Sequence, residues 1–86
     1  MSEPRRTKPA RRSPTPEITR IGDAFANRRI QLGLTQQLLA DLAGVSRYTV
    51  QAVEHATGSV KLGSIVEMAE VLGLRLEITT IDSTAS

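Results

Sequence analysis

Four side chains in this 86-residue sequence have the polar groups and the spacing to read a hydrogen-bonding surface. Arg47 carries a planar fork of donors, and Gln51, one helical turn later, carries one carbonyl acceptor and one amide donor. Tyr48 adds a hydroxyl on an apolar ring that suits a thymine methyl or a phosphate. A guanidinium matches the two acceptors on the edge of guanine, and a carboxamide matches the donor and acceptor on adenine. Gln36 follows Thr35 at the start of a helical pattern, where free amides and the helix dipole favour a phosphate. Other chemistries lack their parts. The sequence has no cysteine and a single histidine, His55, which leaves no disulfide, thiolate metal site or cysteine nucleophile. No glycine-rich phosphate loop is present either, so neither catalysis nor a metal or cofactor is expected.

These side chains need a rigid corner to hold them out. Thr35 reads as the N-cap of a helix to Ala43, with Leu39, Ala40 and Ala43 inward. Gly44 tolerates the positive φ of a tight turn, and Ser46 caps the next helix, from Arg47 to about His55. Val50 and Val53 face inward there, leaving Arg47, Tyr48 and Gln51 on other faces. A small residue where two helices cross, a glycine in the turn and a branched residue that locks the second helix are Ala40, Gly44 and Val50. That spacing is a helix-turn-helix.

A preceding helix is predicted from Thr15 and Pro16, with Ile18, Ile21, Phe25 and Leu32 on one stripe and Gly33 as its stop. Gly22 interrupts that pattern. A fourth helix is predicted over Leu62 to Leu72, with Leu62, Ile65, Val66, Ala69 and Leu72 apolar and Gly73 as its stop. Residues 75–81 then alternate, Leu76, Ile78 and Thr80 against Arg75, Glu77 and Thr79, as a strand does. A lone strand leaves backbone groups unpaired on both edges, and no second strand candidate exists. Pairing with the same segment of a second copy resolves this and makes 75–81 a dimerisation strand through Leu76, Ile78 and Thr80. Residues 82–86 are read as a frayed tail.

Charge divides the chain. Residues 1–16 hold all four prolines and Arg5, Arg6, Lys8, Arg11 and Arg12 against Glu3, a net of +4. The rest holds six basic and eight acidic residues, a net of −2, so bulk charge is no argument for nucleic-acid binding by the folded part. Residues 1–16 are expected to be a disordered basic arm, either a solubilising tail or a source of phosphate and minor-groove contacts. No apolar run approaches the ~20 residues of a membrane span, and no secretory signal is visible. A soluble protein of the cytoplasm, associated with the nucleoid, is expected.

From about Ile18 to Leu74 the chain resembles the Cro/repressor-type (XRE) helix-turn-helix family. The residues that carry the likeness are Arg29, Gly33-Leu34-Thr35-Gln36, Leu39-Ala40, Gly44-Val45-Ser46, Val50 and Val53-Glu54. The resemblance implies an all-α, lambda-repressor-like bundle of four to five helices, over residues 17–74, that binds double-stranded operator DNA. The segment Val60 to Ile78 is similar to the C-terminal half of HipB-type antitoxins. In those proteins a strand after the fourth helix pairs across a dimer, and a HipA-type serine/threonine kinase toxin is a further partner. The implied function is a dimeric repressor on a palindromic operator, either the antitoxin of such a pair or a solitary XRE regulator.

The resemblance places DNA contacts at Gln36, Arg47, Tyr48 and Gln51, with Ser46 and Thr49 as backbone or phosphate contacts. Ser46 is alternatively only a cap. Arg28 and Arg29 are candidates for phosphate contacts from the first helix, although one of them could pair with Glu54 instead. Ala56 stands where the family often has glycine, which leaves the end of the third helix open. Leu38 and Leu42 occupy positions that are usually polar; they either enlarge the core or form an apolar patch for a partner protein.

Overall fold

The computed structural model describes residues 12–81, and its elements are four helices: α1 (Pro16–Gln31), α2 (Gln36–Ala43), α3 (Arg47–His55) and α4 (Leu62–Leu72). Each boundary has a local cause. Pro16 opens α1, where its missing N–H costs nothing. Thr35 and Ser46 cap α2 and α3, their hydroxyls accepting from Leu38 N and Thr49 N at 3.0 Å each. Gly44 closes α2 in the left-handed region at φ 72°, and this lets the chain turn sharply into α3. Ala56 takes the same conformation at the end of α3, at φ 56°. The helix therefore stops as a glycine would stop it, at a steric cost of roughly 1–2 kcal/mol. Burial of the Ala56 methyl group offsets part of that cost.

Both α1 and α2 pack against α3 and α4. Phe25, Leu39, Val50, Met68 and Leu72 are the largest fully buried side chains. Each contributes about 1.5–3 kcal/mol on leaving water, which makes this cluster the main source of stability. Ala40 and Val50 are both completely buried, as the corner requires. The fold is an all-α helix-turn-helix bundle.

Several expectations need correcting. Only Phe25 of the predicted α1 stripe is buried; Ile18, Ile21 and Leu32 are exposed. Gly22 is buried instead, because α1 crosses α3 closely there. Of the basic arm, residues 1–11 lie outside the described residues. Its last part is tied down: Ser13 N donates to Ala56 O at 2.7 Å, Arg12 bridges Thr57, and Arg12 faces Asp23 at 3.7 Å. No sheet is present among the described residues beyond that one bridge. Residues 75–81 carry neither helix nor ladder in the single chain, and 82–86 lie outside the described residues. No helix among the described residues is long and apolar enough to cross a membrane.

Candidate nucleic-acid interface

The corner at Gly44 brings the start of α2 beside the outward face of α3. Arg47 and Tyr48 stand on the first turn of α3, both exposed, and Tyr48 keeps 70% of its surface. Among the described residues neither side chain has a hydrogen bond or ion pair, so their polar groups are open to a ligand. Gln51 and Gln36 are half-buried and meet at 3.4 Å, Gln51 Nε2 donating to Gln36 Oε1. Gln36 in turn donates from Nε2 to Glu54 Oε1 at 3.0 Å. One amide hydrogen of Gln36 is thereby used internally, and the other remains for a phosphate.

Glu54 is the hub that the sequence reading assigned no role at the interface. Its carboxylate receives Arg29 in bidentate fashion, Nε to Oε2 at 2.6 Å and Nη2 to Oε1 at 3.1 Å. The Glu54 side chain is 4% exposed and that of Arg29 15%. Arg29 also donates from Nη1 to Leu34 O at 2.9 Å. The hydrogen bonding of Arg29 to Glu54 raises the Arg29 pKa above its ordinary value; burial opposes this and the carboxylate charge adds to it. Residues 51 and 54 lie three apart on one helix, and that spacing was the available signal that they share a face.

Arg29 is the arginine that pairs with Glu54, the alternative to a phosphate contact, and its Nε, Nη1 and Nη2 all donate within the fold. Arg28 is also engaged within the fold. Its Nε donates to Leu72 O at 2.8 Å and its Nη1 to Gln31 Oε1 at 3.4 Å. A cation there satisfies a carbonyl that the last turn of α4 leaves unpaired, at the negative end of its dipole. Both arginines join elements instead of facing outward.

Ser46 acts as a cap, and its hydroxyl also lies 3.0 Å from that of Thr49, so the two hydroxyls are paired with each other. Leu38 and Leu42 are 43% and 58% exposed, which overturns the reading that they enlarge the core. They form an apolar strip on the outside of α2. A second apolar surface, a groove of about 540 Å³, runs between α1, α3, the start of α4 and the C-terminal segment. Ile18, Ile21, Leu62, Ile65, Leu76 and Ile78 line it, and Ile78 is wholly exposed in the single chain. Thr80 is exposed beyond it.

Comparison with known proteins agrees with this geometry. A family model described as helix-turn-helix matches residues 25–78. The restriction-modification controller protein C.AhdI from Aeromonas hydrophila superposes with a TM-score of 0.63 at 30% identity, over 69% of this chain and 89% of that one. A chain of the HipA-HipB-O2-O3 complex gives a TM-score of 0.64 at 24% identity, over 72% of this chain and 87% of that one. No curated protein matches the sequence. The match over α1 to the C-terminal segment, together with the α2–α3 corner, identifies the chain as a member of the Cro/repressor-type (XRE) helix-turn-helix family of DNA-binding regulators.

Proposed function

We propose that the protein is a transcriptional repressor that binds a palindromic operator as a dimer, reading bases with Arg47, Tyr48 and Gln51 and gripping phosphate with Gln36. The observation that carries this is the open donor surface on α3 beside the start of α2. A helix entering the major groove presents its first turns to base edges, and Arg47 and Tyr48 occupy that turn. Arg47→Ala should weaken binding to a selected duplex by about 1–3 kcal/mol and relax its base preference at one position per half-site. Fluorescence anisotropy against matched and mismatched duplexes measures both, and equal affinity of mutant and parent removes Arg47 from base readout.

The exposed apolar groove supports a second copy as its cover. Leu76, Ile78 and Thr80 of each chain would pair as an antiparallel ribbon over Ile18, Ile21 and Leu62. Such a two-fold dimer sets its recognition helices about 34 Å apart, one turn of DNA. Sedimentation velocity should give a dimer for the parent and a monomer for Leu62→Glu, since a carboxylate in a closed apolar interface has no partner. A parent chain that stays monomeric at high concentration overturns the ribbon.

Within this reading the protein is the antitoxin of a HipBA-like pair. The apolar strip of Leu38 and Leu42, remote in sequence from the dimer surface, supports a protein partner, and the fold shared with a chain of the HipA-HipB-O2-O3 complex supports one of the HipA type. The second reading is a solitary XRE regulator without a toxin, favoured by the 30% identity to a restriction-modification controller. Co-expression with a kinase-like chain from the neighbouring reading frame separates them. Relief of that chain's toxicity, lost in Leu38→Lys/Leu42→Lys, supports the antitoxin, and absence of relief supports the solitary regulator.

A further inference from the structure

We infer that Glu54, which touches no DNA, determines which base Gln51 prefers, by fixing the orientation of two carboxamides in series. The inference rests on the DNA-reading function proposed above. Its physical basis is the chain Arg29, Glu54, Gln36, Gln51, in which each member constrains the next.

A carboxylate paired with a guanidinium only accepts hydrogen bonds. Gln36 must therefore turn Nε2, not Oε1, toward Glu54, as its 3.0 Å contact shows. The carbonyl Oε1 of Gln36 is then left facing Gln51, and it demands a donor, Gln51 Nε2, at 3.4 Å. Gln51 is left with its own Oε1 and one remaining N–H for a ligand. One acceptor beside one donor complements the N6 donor and N7 acceptor of adenine. The preference for adenine over guanine is thus set two residues away from the base, and Gln36 and Glu54 are positioning residues for it.

The geometry also predicts what removes it. Both carboxylate oxygens accept from Arg29, Oε2 from Nε at 2.6 Å and Oε1 from Nη2 at 3.1 Å, and Oε1 also accepts from Gln36. An amide at residue 54 cannot accept at both places, so the clean change removes the ion pair whole. In Arg29→Met/Glu54→Leu no acceptor faces Gln36, and its carboxamide turns either way. Gln51 then presents either one acceptor and one donor, or two donors. Two donors match the O6 and N7 acceptors of guanine, so discrimination between adenine and guanine falls.

The test is selection by the full chain from a duplex library with a randomised core of about 20 base pairs, long enough for two half-sites. The parent, Gln51→Ala, Arg29→Met/Glu54→Leu and Gln36→Leu are compared, with thermal unfolding of each variant to confirm folding. Gln51→Ala identifies the position that Gln51 reads, as the one whose preference disappears. At that position the parent should favour adenine over guanine by roughly 5- to 150-fold, the range of a bidentate contact. Arg29→Met/Glu54→Leu and Gln36→Leu should each bring that ratio close to one. Replacing the adenine with 7-deazaadenine should weaken the parent at that position and leave Gln36→Leu less affected.

An unaltered adenine preference in folded Arg29→Met/Glu54→Leu overturns the inference. If that variant does not fold, Gln36→Leu decides, and retention of the parental preference overturns it. Loss of no position in Gln51→Ala overturns it as well. Failure of the parent to enrich any duplex is a different result, which removes the DNA-reading function itself.

Discussion

Arg29→Ala should lower the unfolding free energy by about 3–5 kcal/mol, because it leaves the Glu54 carboxylate buried without its countercharge. The total stability of a small domain is only about 5–15 kcal/mol, so this single change removes a large fraction of it. The pair is not comparable with a surface ion pair. Its carboxylate is almost fully enclosed, the guanidinium engages it with two hydrogen bonds, and a third bond from Arg29 holds Leu34 O at the entry to α2. The three elements α1, α2 and α3 are therefore joined at one point. Urea unfolding followed by circular dichroism measures the loss. An apolar double replacement, Arg29→Met/Glu54→Leu, should cost less than the single change, because it leaves no uncompensated charge. A loss below about 1 kcal/mol in Arg29→Ala would place this contact among weak exposed pairs and contradict its burial.

Gly22→Ala should be destabilising, although alanine is the better helix former by about 1 kcal/mol. A Cβ at this position would lie 2.4 Å from Val53 O and 3.0 Å from Glu54 O. Both are backbone atoms at the end of α3, and neither can rotate away. The helices must separate instead, which costs about 1–3 kcal/mol or more where a packed core is overfilled. The disturbed carbonyls belong to the turn that carries Glu54, so the Arg29 pair is pulled with them. Gly63→Ala is the matched control, since nothing lies within 4 Å of a Cβ there. In a domain of this size 1 kcal/mol moves Tm by about 4–8 °C. Gly22→Ala should melt several degrees below the parent and Gly63→Ala at or above it. Equal melting of the two would mean that α1 and α3 do not cross as closely as described.

The outward and inward arginines differ in how many of their donors the fold already uses. Arg47 is open and free to meet a base, whereas Arg28 and Arg29, also basic and on the neighbouring helix, close the ends of other elements. Charge alone therefore does not identify a phosphate contact.

The helix-turn-helix was legible from the chain because its determinants are local. Thr35 and Ser46 cap the helices they precede, Gly44 takes the one backbone conformation that the corner requires, and α3 and α4 begin and end where pattern and caps place them. Outward placement of Arg47 and Tyr48 followed from the inward placement of Val50 and Val53 on the same short helix. Periodicity did less well on α1, where Ile18, Ile21 and Leu32 have apolar spacing but stay exposed in the single chain. It could not choose between core and surface for Leu38 and Leu42, because a hydrophobic side chain does not itself record whether a neighbour covers it.

Local sequence determined the helices, their stops and the corner, since each depends on hydrogen bonds and dihedral angles within a few residues. Tertiary structure alone decided that Arg29 meets Glu54, that Gln36 and Gln51 touch, and that Gly22 admits the backbone of α3. Those contacts join residues far apart in the chain. Their distances depend on how helices pack, and the spacing that marks the α2–α3 corner does not say which side chains meet across it.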